Sequence, residues 1–195
     1  MTPILLASSS PYRRQLLEKL GLSFETESPD IDESPRPNET PSQLVQRLAT
    51  AKAETLRASH DNHLIIGSDQ VAELDGEIIG KPGNHEAAAD QLRSCSRRVV
   101  HFHTGLCLLN SAKGTLHYHC CRYDVHFRAL TEPQIEYYLR REQPYDCAGS
   151  FKSEGLGIAL FSAIRGDDPN SLIGLPLIAL TDMLYKEGVD VLTQQ

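Results

Sequence analysis

Apolar positions along this chain follow two periods, one helical and one of strands, and the switches between them mark its elements. A short apolar run, Ile4–Ala7, passes through Ser8, Ser9 and Ser10 into Pro11, after which Leu16, Leu17 and Leu20 recur at helical spacing up to Gly21. The pattern predicts a strand running straight into a helix capped by Ser10, opened by Pro11 and stopped by a left-handed glycine. A second helix is predicted from Pro41, with Thr40 and Gln43 as a capping box and Leu44, Val45, Leu48 and Leu56 as its buried stripe. "HLIIG" reads as a buried strand, "GSDQ" as a polar break, and Asp75-Gly76 as a hairpin turn whose returning strand delivers Lys81 and Pro82. An alanine-rich helix is expected from about His85 to Arg93.

Beyond Val99 the period is two. "VVHFHTGLCLLN" and "TLHYHCCRYDVHF" are predicted strands joined by "SAKG", and a helix opens at Thr131 with Gln134 as its capping partner. A glycine-bearing loop, "YDCAGSFKSEGLG", precedes a strand in "IALFSAIRG", and a last helix runs from Gly-Leu-Pro to Gly188. Strands alternate with helices first and hairpins dominate later, which argues an α/β fold with a mixed sheet. His101, His103, His117 and His119 fall two apart within their strands and read as an outward polar face, not a metal site.

Composition narrows the class. At 195 residues the chain suits a single domain, or two closely joined lobes, with a core of its own, and 40% hydrophobic with 23% charged residues fits a soluble globular protein. No apolar stretch has the length of a membrane helix, so a cytoplasmic location is expected. Five cysteines without paired spacing indicate neither a disulfide framework nor a zinc module. A net charge of −7 argues against nucleic acid as a partner, so any phosphate chemistry must rest on bases concentrated in one site.

Arg13 stands in the first turn of its helix, where the dipole favours an acid, and this points to an anion at that terminus; an ordinary serine-rich loop with a solvated arginine is the plainer alternative. Lys52 lies on the apolar stripe of its helix and either snorkels to the rim or points into a cleft. Asp69 follows a strand and Lys81 ends the returning one, so the two are expected near one sheet edge. With Glu33, these residues supply three cations for phosphate oxygens and two carboxylates for a hard divalent ion such as Mg²⁺ or Mn²⁺ and an attacking water.

"LLASSSPYRRQLLEKLG", "DIDE", "RLATAKAE", "IIGSDQVAELDGEIIGKP", "AGSFKSEGLG" and "IGLPL" resemble, in order and across nearly the whole chain, the motifs of the Maf family of nucleoside triphosphate pyrophosphatases. The resemblance implies one domain over residues 1–195. It would be a two-lobed α/β fold, with helices flanking an elongated mixed sheet, similar to the inosine triphosphatase fold, and with the nucleotide in a central cleft. It implies hydrolysis between the α and β phosphates with a divalent metal cofactor, and a homodimer. Carried across residue by residue, Ser8, Arg13, Lys52 and Lys81 are expected to bind phosphate, Glu33 and Asp69 to hold metal, and Asp69 to accept the proton of the attacking water.

Substrate choice rests on three further positions. Tyr12, Gln70 and Glu154 look like the subfamily that hydrolyses 7-methyl-GTP, whereas members acting on dTTP and UTP usually carry arginine, threonine and glutamine there. A carboxylate at 154 suits guanine, which offers N1–H and the exocyclic amine as adjacent donors, and the charge on a 7-methylated base suits both Glu154 and the Tyr12 ring. Two departures from many relatives, Cys147 for lysine and Arg97 for glycine, fall outside these residues. A nucleotide-binding regulator of septum formation and division arrest is the alternative function, and a broader or pyrimidine-directed pyrophosphatase the alternative specificity.

Overall fold

The structure, a computed structural model, describes residues 2–193. Seven strands form one mixed sheet: β1 (Ile4–Ala7), β2 (Glu25–Glu27), β3 (Leu64–Leu74), β4 (Glu77–Ile79), β5 (Val99–Asn110), β6 (Thr115–Phe127) and β7 (Phe161–Arg165). Their order is β2-β1-β3-β5-β6-β7, with β4 on β3. β1 pairs in parallel with β2 and β3, while β4 pairs antiparallel with β3 and β7 with β6. The helices are α1 (Pro11–Glu18), α2 (Pro41–Thr55), α3 (His85–Cys95), α4 (Glu132–Glu142), α5 (Pro169–Ile173) and α6 (Leu177–Lys186). Among the described residues no helix is long and apolar enough to cross a membrane.

The chain divides into two compact units, the first of Met1–Asp69, Thr104–Cys121 and Asp168–Gln195, the second of Gln70–His103 and Arg122–Asp167. In the first unit the sheet is buried on both faces, which explains the unbroken apolar runs of its strands. Ile4, Leu6, Leu64, Ile66, Leu106 and Leu108 pack with residues of α1 and α6, and Leu5, Ala7, Ile65, Cys107 and Leu109 with Ala49 and Ala53 of α2. Consecutive strand residues thus serve opposite cores, as the period of two requires. The second unit is centred on Phe102, Phe127, Phe151 and Phe161, whose rings meet edge to face at centroid distances of 4.7–5.8 Å.

The expected caps are present. Ser10 Oγ accepts from Arg13 N, both halves of the Thr40–Gln43 box form, and the Gln134 side chain accepts from Thr131 N. Two expectations are corrected, and two elements are added. "GSDQ" does not break its strand: β3 continues through it, because Ser68 and Asp69 find partners inside the unit. The strand expected in "IALFSAIRG" begins only at Phe161, preceded by a 3-10 turn over Leu156–Leu160 that leaves Ile158 exposed. α5, unexpected, is capped by Asp168 ahead of Pro169, and the charged edge strand β2 carries no apolar alternation that could announce it. On the histidine face His101 meets Asp124 and His103 meets Glu73 in half-buried pairs.

Arg97 adopts φ 64°, the left-handed region, immediately after α3. A glycine takes this conformation at no steric cost, so on backbone grounds the position favours glycine over Arg97.

The C-terminal end of α6 is tied down by Glu187. Its carboxylate accepts from Asn110 Nδ2 (2.7 Å), Thr115 Oγ1 (2.8 Å) and Lys113 Nζ (3.1 Å) and meets His117 Nε2 (2.8 Å). Burial alone would raise this carboxyl, but its four partners outweigh it and hold the pKa at about 2, below the ordinary 4.5. A depressed carboxyl contributes stability that is complete above its unfolded pKa and lost as pH falls toward the folded value. Acid unfolding followed by circular dichroism should therefore steepen between about pH 4.5 and 2, and Glu187→Gln should flatten that window while lowering stability at neutral pH.

Candidate active site

β1 ends at Ala7, and Ser8 turns the chain into α1: its Oγ accepts from Ser10 N at 3.1 Å and its side chain is buried. The N-terminal turn of α1, capped by Ser10, carries Tyr12 and Arg13, both half-buried. Arg13 does not trail into solvent. Its Nε donates to the Gly174 carbonyl at 2.9 Å, and Ser68 Oγ, hydrogen-bonded to the same oxygen at 3.0 Å and to Gly105 O at 2.8 Å, fixes that carbonyl from behind. Gly174 lies at φ 125° where α5 gives way to α6, a conformation that L side chains rarely adopt. Lost hydration lowers the pKa of the guanidinium from its ordinary value, while Asp69 and Glu33 act against that fall.

Lys52 owes its position to helix α2 lying almost directly on the sheet. A Cβ added at Gly67 of β3 would stand 2.1 Å from Ala49 O, and one at Gly105 of β5 2.5 Å from Val45 O. Only glycines allow this approach, and it sets the ammonium one turn further along against the strand. There Lys52 Nζ meets Asp69 Oδ1 and Glu33 Oε1, both at 2.7 Å. The Lys52 and Asp69 side chains are 8% and 10% exposed and that of Glu33 is 59% exposed, so a largely buried pair is completed by a carboxylate from the surface.

The first unit therefore gathers Ser8, Arg13, Glu33, Lys52 and Asp69: two cations and two carboxylates in electrostatic contact, next to a helix N-terminus. Of the two readings open for Lys52, its ammonium faces a polar cluster and does not snorkel. Ser68 and the Gly174 carbonyl also build this cluster. Gly174 lies within the recognised "IGLPL", but nothing in the hydropathy pattern marks its carbonyl or the Ser68 hydroxyl as partners.

The second unit holds the remaining expected residues. Gln70 continues β3 and is half-buried, and Lys81 is exposed just past β4. Glu154 is exposed in a loop braced by close packing. Leu156 N donates to Glu142 Oε1 at 3.2 Å, a Cβ at Gly155 would come within 2.8 Å of the same carboxylate, and one at Gly157 within 2.3 Å of Lys152 O. Cys147 opens the 3-10 turn before this loop, and burial pushes its thiol up to about 12.

Residues 3–187 match the family model described as Maf-like protein. The chain belongs to the Maf family. Two curated relatives share this assignment closely: the 7-methyl-GTP pyrophosphatase of Pseudomonas syringae pv. tomato is 61% identical, and that of Pseudomonas syringae pv. syringae 58% identical. Each comparison covers 98% of this chain and 100% of the relative. Among solved structures, the Ham1 protein of Staphylococcus aureus aligns with a TM-score of 0.46 at 14% identity, over 64% of this chain and 71% of that one, a likeness too partial to carry an argument. For a Maf-family chain the polar cluster just described is the candidate active site, since it holds five of the residues that the family motifs single out.

The glycine on which α2 rests can be tested directly. Gly67→Ala forces its Cβ against the Ala49 carbonyl and should destabilise the protein by about 3 kcal/mol, or roughly 6–12 °C in Tm, as read by thermal denaturation.

Proposed function

We propose that this Maf-family protein hydrolyses 7-methyl-GTP to 7-methyl-GMP and pyrophosphate. The observation that carries the reading is the buried Lys52 ammonium held between Asp69 and Glu33 beside Arg13: this arrangement is wasteful as a structural ion pair but suited to a polyanion that draws the cations to itself. The names of the two Pseudomonas relatives support the substrate.

In this reading Ser8, Arg13, Lys52 and Lys81 bind the phosphates, with the α1 N-terminus adding backbone N–H groups. Asp69 accepts the proton of a water whose oxygen bonds to the α-phosphorus as the bond to the bridging oxygen breaks, and pyrophosphate leaves. Once phosphate oxygens draw the Lys52 ammonium away, the Asp69 carboxylate it now engages is free to act as a base. Glu154 accepts from N1–H and the exocyclic amine of guanine, Gln70 adds an amide hydrogen bond, and the Tyr12 ring attracts the positively charged methylated base by about 0.5–2 kcal/mol.

A divalent metal fits these residues. Glu33 and Asp69 already place hard oxygen donors around a single cation, and Mg²⁺ is commonly held by one or two carboxylates together with substrate phosphates. Glu33 and Asp69 would hold it, and when bound it supplies charge neutralisation at the phosphoryl oxygens.

A panel of nucleoside triphosphates assayed for pyrophosphate release should show 7-methyl-GTP far ahead of GTP, dTTP and UTP; equal rates on all four would refute the specificity. Asp69→Asn should lower kcat by about 10²–10⁴-fold without unfolding the protein. Glu154→Gln should leave turnover in place and shrink the preference for the methylated purine, measured as a ratio of kcat/KM values.

A further inference from the structure

Between β2 and α2 the chain from about residue 28 to 40 has no regular structure, yet it delivers Glu33 to Lys52. The Glu33 side chain is mostly exposed, so packing does not hold it. Besides its ion pair with Lys52, its position depends on the backbone beside it. That backbone is gripped by Arg47 of α2, which is outside the polar cluster and has no part in the reading above.

The grip has two arms. Arg47 Nε and Nη2 donate to Glu39 Oε1 and Oε2 at 2.6 and 2.8 Å, a bidentate pair, and Nη2 also donates to the carbonyl of Ser34 at 2.9 Å, the residue next to Glu33. Glu39 carries the hold onward by accepting from Arg36 N at 2.9 Å, while Ser34 N is turned inward onto Asp32 Oδ1 at 2.9 Å. The Arg47 and Glu39 side chains are only 19% and 9% exposed, unlike the solvated ion pairs that contribute little. Hydrogen bonding to Arg47 is also the chief reason the Glu39 carboxyl is pulled down to about 2. A planar guanidinium can grip a carboxylate and a carbonyl at once, and an ammonium lacks that fork.

We infer that Arg47 is a positioning residue for Glu33: by clamping Glu39 and the Ser34 carbonyl onto α2 it fixes the acidic loop, so that the Glu33 carboxylate stands at the Lys52–Asp69 pair. The clamp and the ammonium then share one scaffold, since Arg47 and Lys52 are carried by the same helix. Its catalytic consequence rests on the pyrophosphatase reading, whereas the clamp itself does not.

The test compares Arg47→Gln, Glu39→Gln, Glu33→Gln and the double variant Arg47→Gln/Glu33→Gln in the intact protein. Hydrogen exchange followed by mass spectrometry should show residues 30–40 exchanging about 10-fold faster in Arg47→Gln and Glu39→Gln, with α2 and β1 unchanged. With 7-methyl-GTP and saturating Mg²⁺, Arg47→Gln should lose about 10- to 100-fold in kcat with KM nearly constant, and the double variant should be no slower than Glu33→Gln alone. Loop exchange equal to that of the unmodified protein, or losses that multiply in the double variant, would overturn the inference. Should Arg47→Gln fail to fold, Glu39→Gln decides the clamp. If the unmodified protein hydrolyses no nucleotide, the pyrophosphatase reading falls while the exchange measurement still judges the clamp.

Discussion

A buried ammonium held by two carboxylates is the contact around which this protein is arranged. Taking Lys52 and Asp69 out of water is costly, and their attraction repays that cost only with short, well-directed contacts. Both Lys52 contacts measure 2.7 Å. Keeping them short sets demands on three separate segments. The α2 helix must lie close enough to the sheet, hence Gly67 and Gly105 beneath it. β3 must run unbroken past Gly67 to present Asp69, and the acidic loop must bring Glu33 in from the surface.

Much of this architecture can be read from the chain because local signals and tertiary demands agree. Caps at Ser10 and Thr40, the left-handed Gly21 and the turn at Asp75-Gly76 are each determined by neighbours within a few residues, and each appears where the pattern puts it. Unbroken apolar runs in β1 and β3 likewise announce strands covered on both faces. The failures share a different cause. "GSDQ" is polar because its side chains are satisfied by distant partners, with Ser68 hydrogen-bonded to the Gly105 and Gly174 carbonyls and Asp69 to Lys52, and no local rule distinguishes such a segment from a loop. Ile158 is apolar yet exposed, which defeats the equation of apolar with strand. α5 carries a local signal, Asp168 capping ahead of Pro169, but the helix is too short to show a period.

The candidate site divides in the same way. The residue types and their order carry the family resemblance, and from it Arg13, Lys52, Glu33 and Asp69 follow. What the sequence withholds is how they are held. Arg13 is aimed by a backbone carbonyl 161 positions away, and Glu33 by a guanidinium on the following helix. Backbone acceptors have no residue identity, so a motif of side chains leaves them out even when, as at Gly174, their residue lies inside a recognised segment.

The charges of the cluster explain why it can persist without substrate and still favour one. Arg13 and Lys52 are balanced by Glu33 and Asp69, so neither sign is left uncompensated in a poorly hydrated setting. An incoming triphosphate brings negative charge that this balance does not absorb, and it competes with the two carboxylates for the cations. In the proposed reaction the carboxylates so released would hold a divalent ion, whose charge would offset part of that brought by the phosphates. In that reading anion and metal would favour each other's binding, and Asp69 would be released as a base only when there is a phosphate for its water to attack.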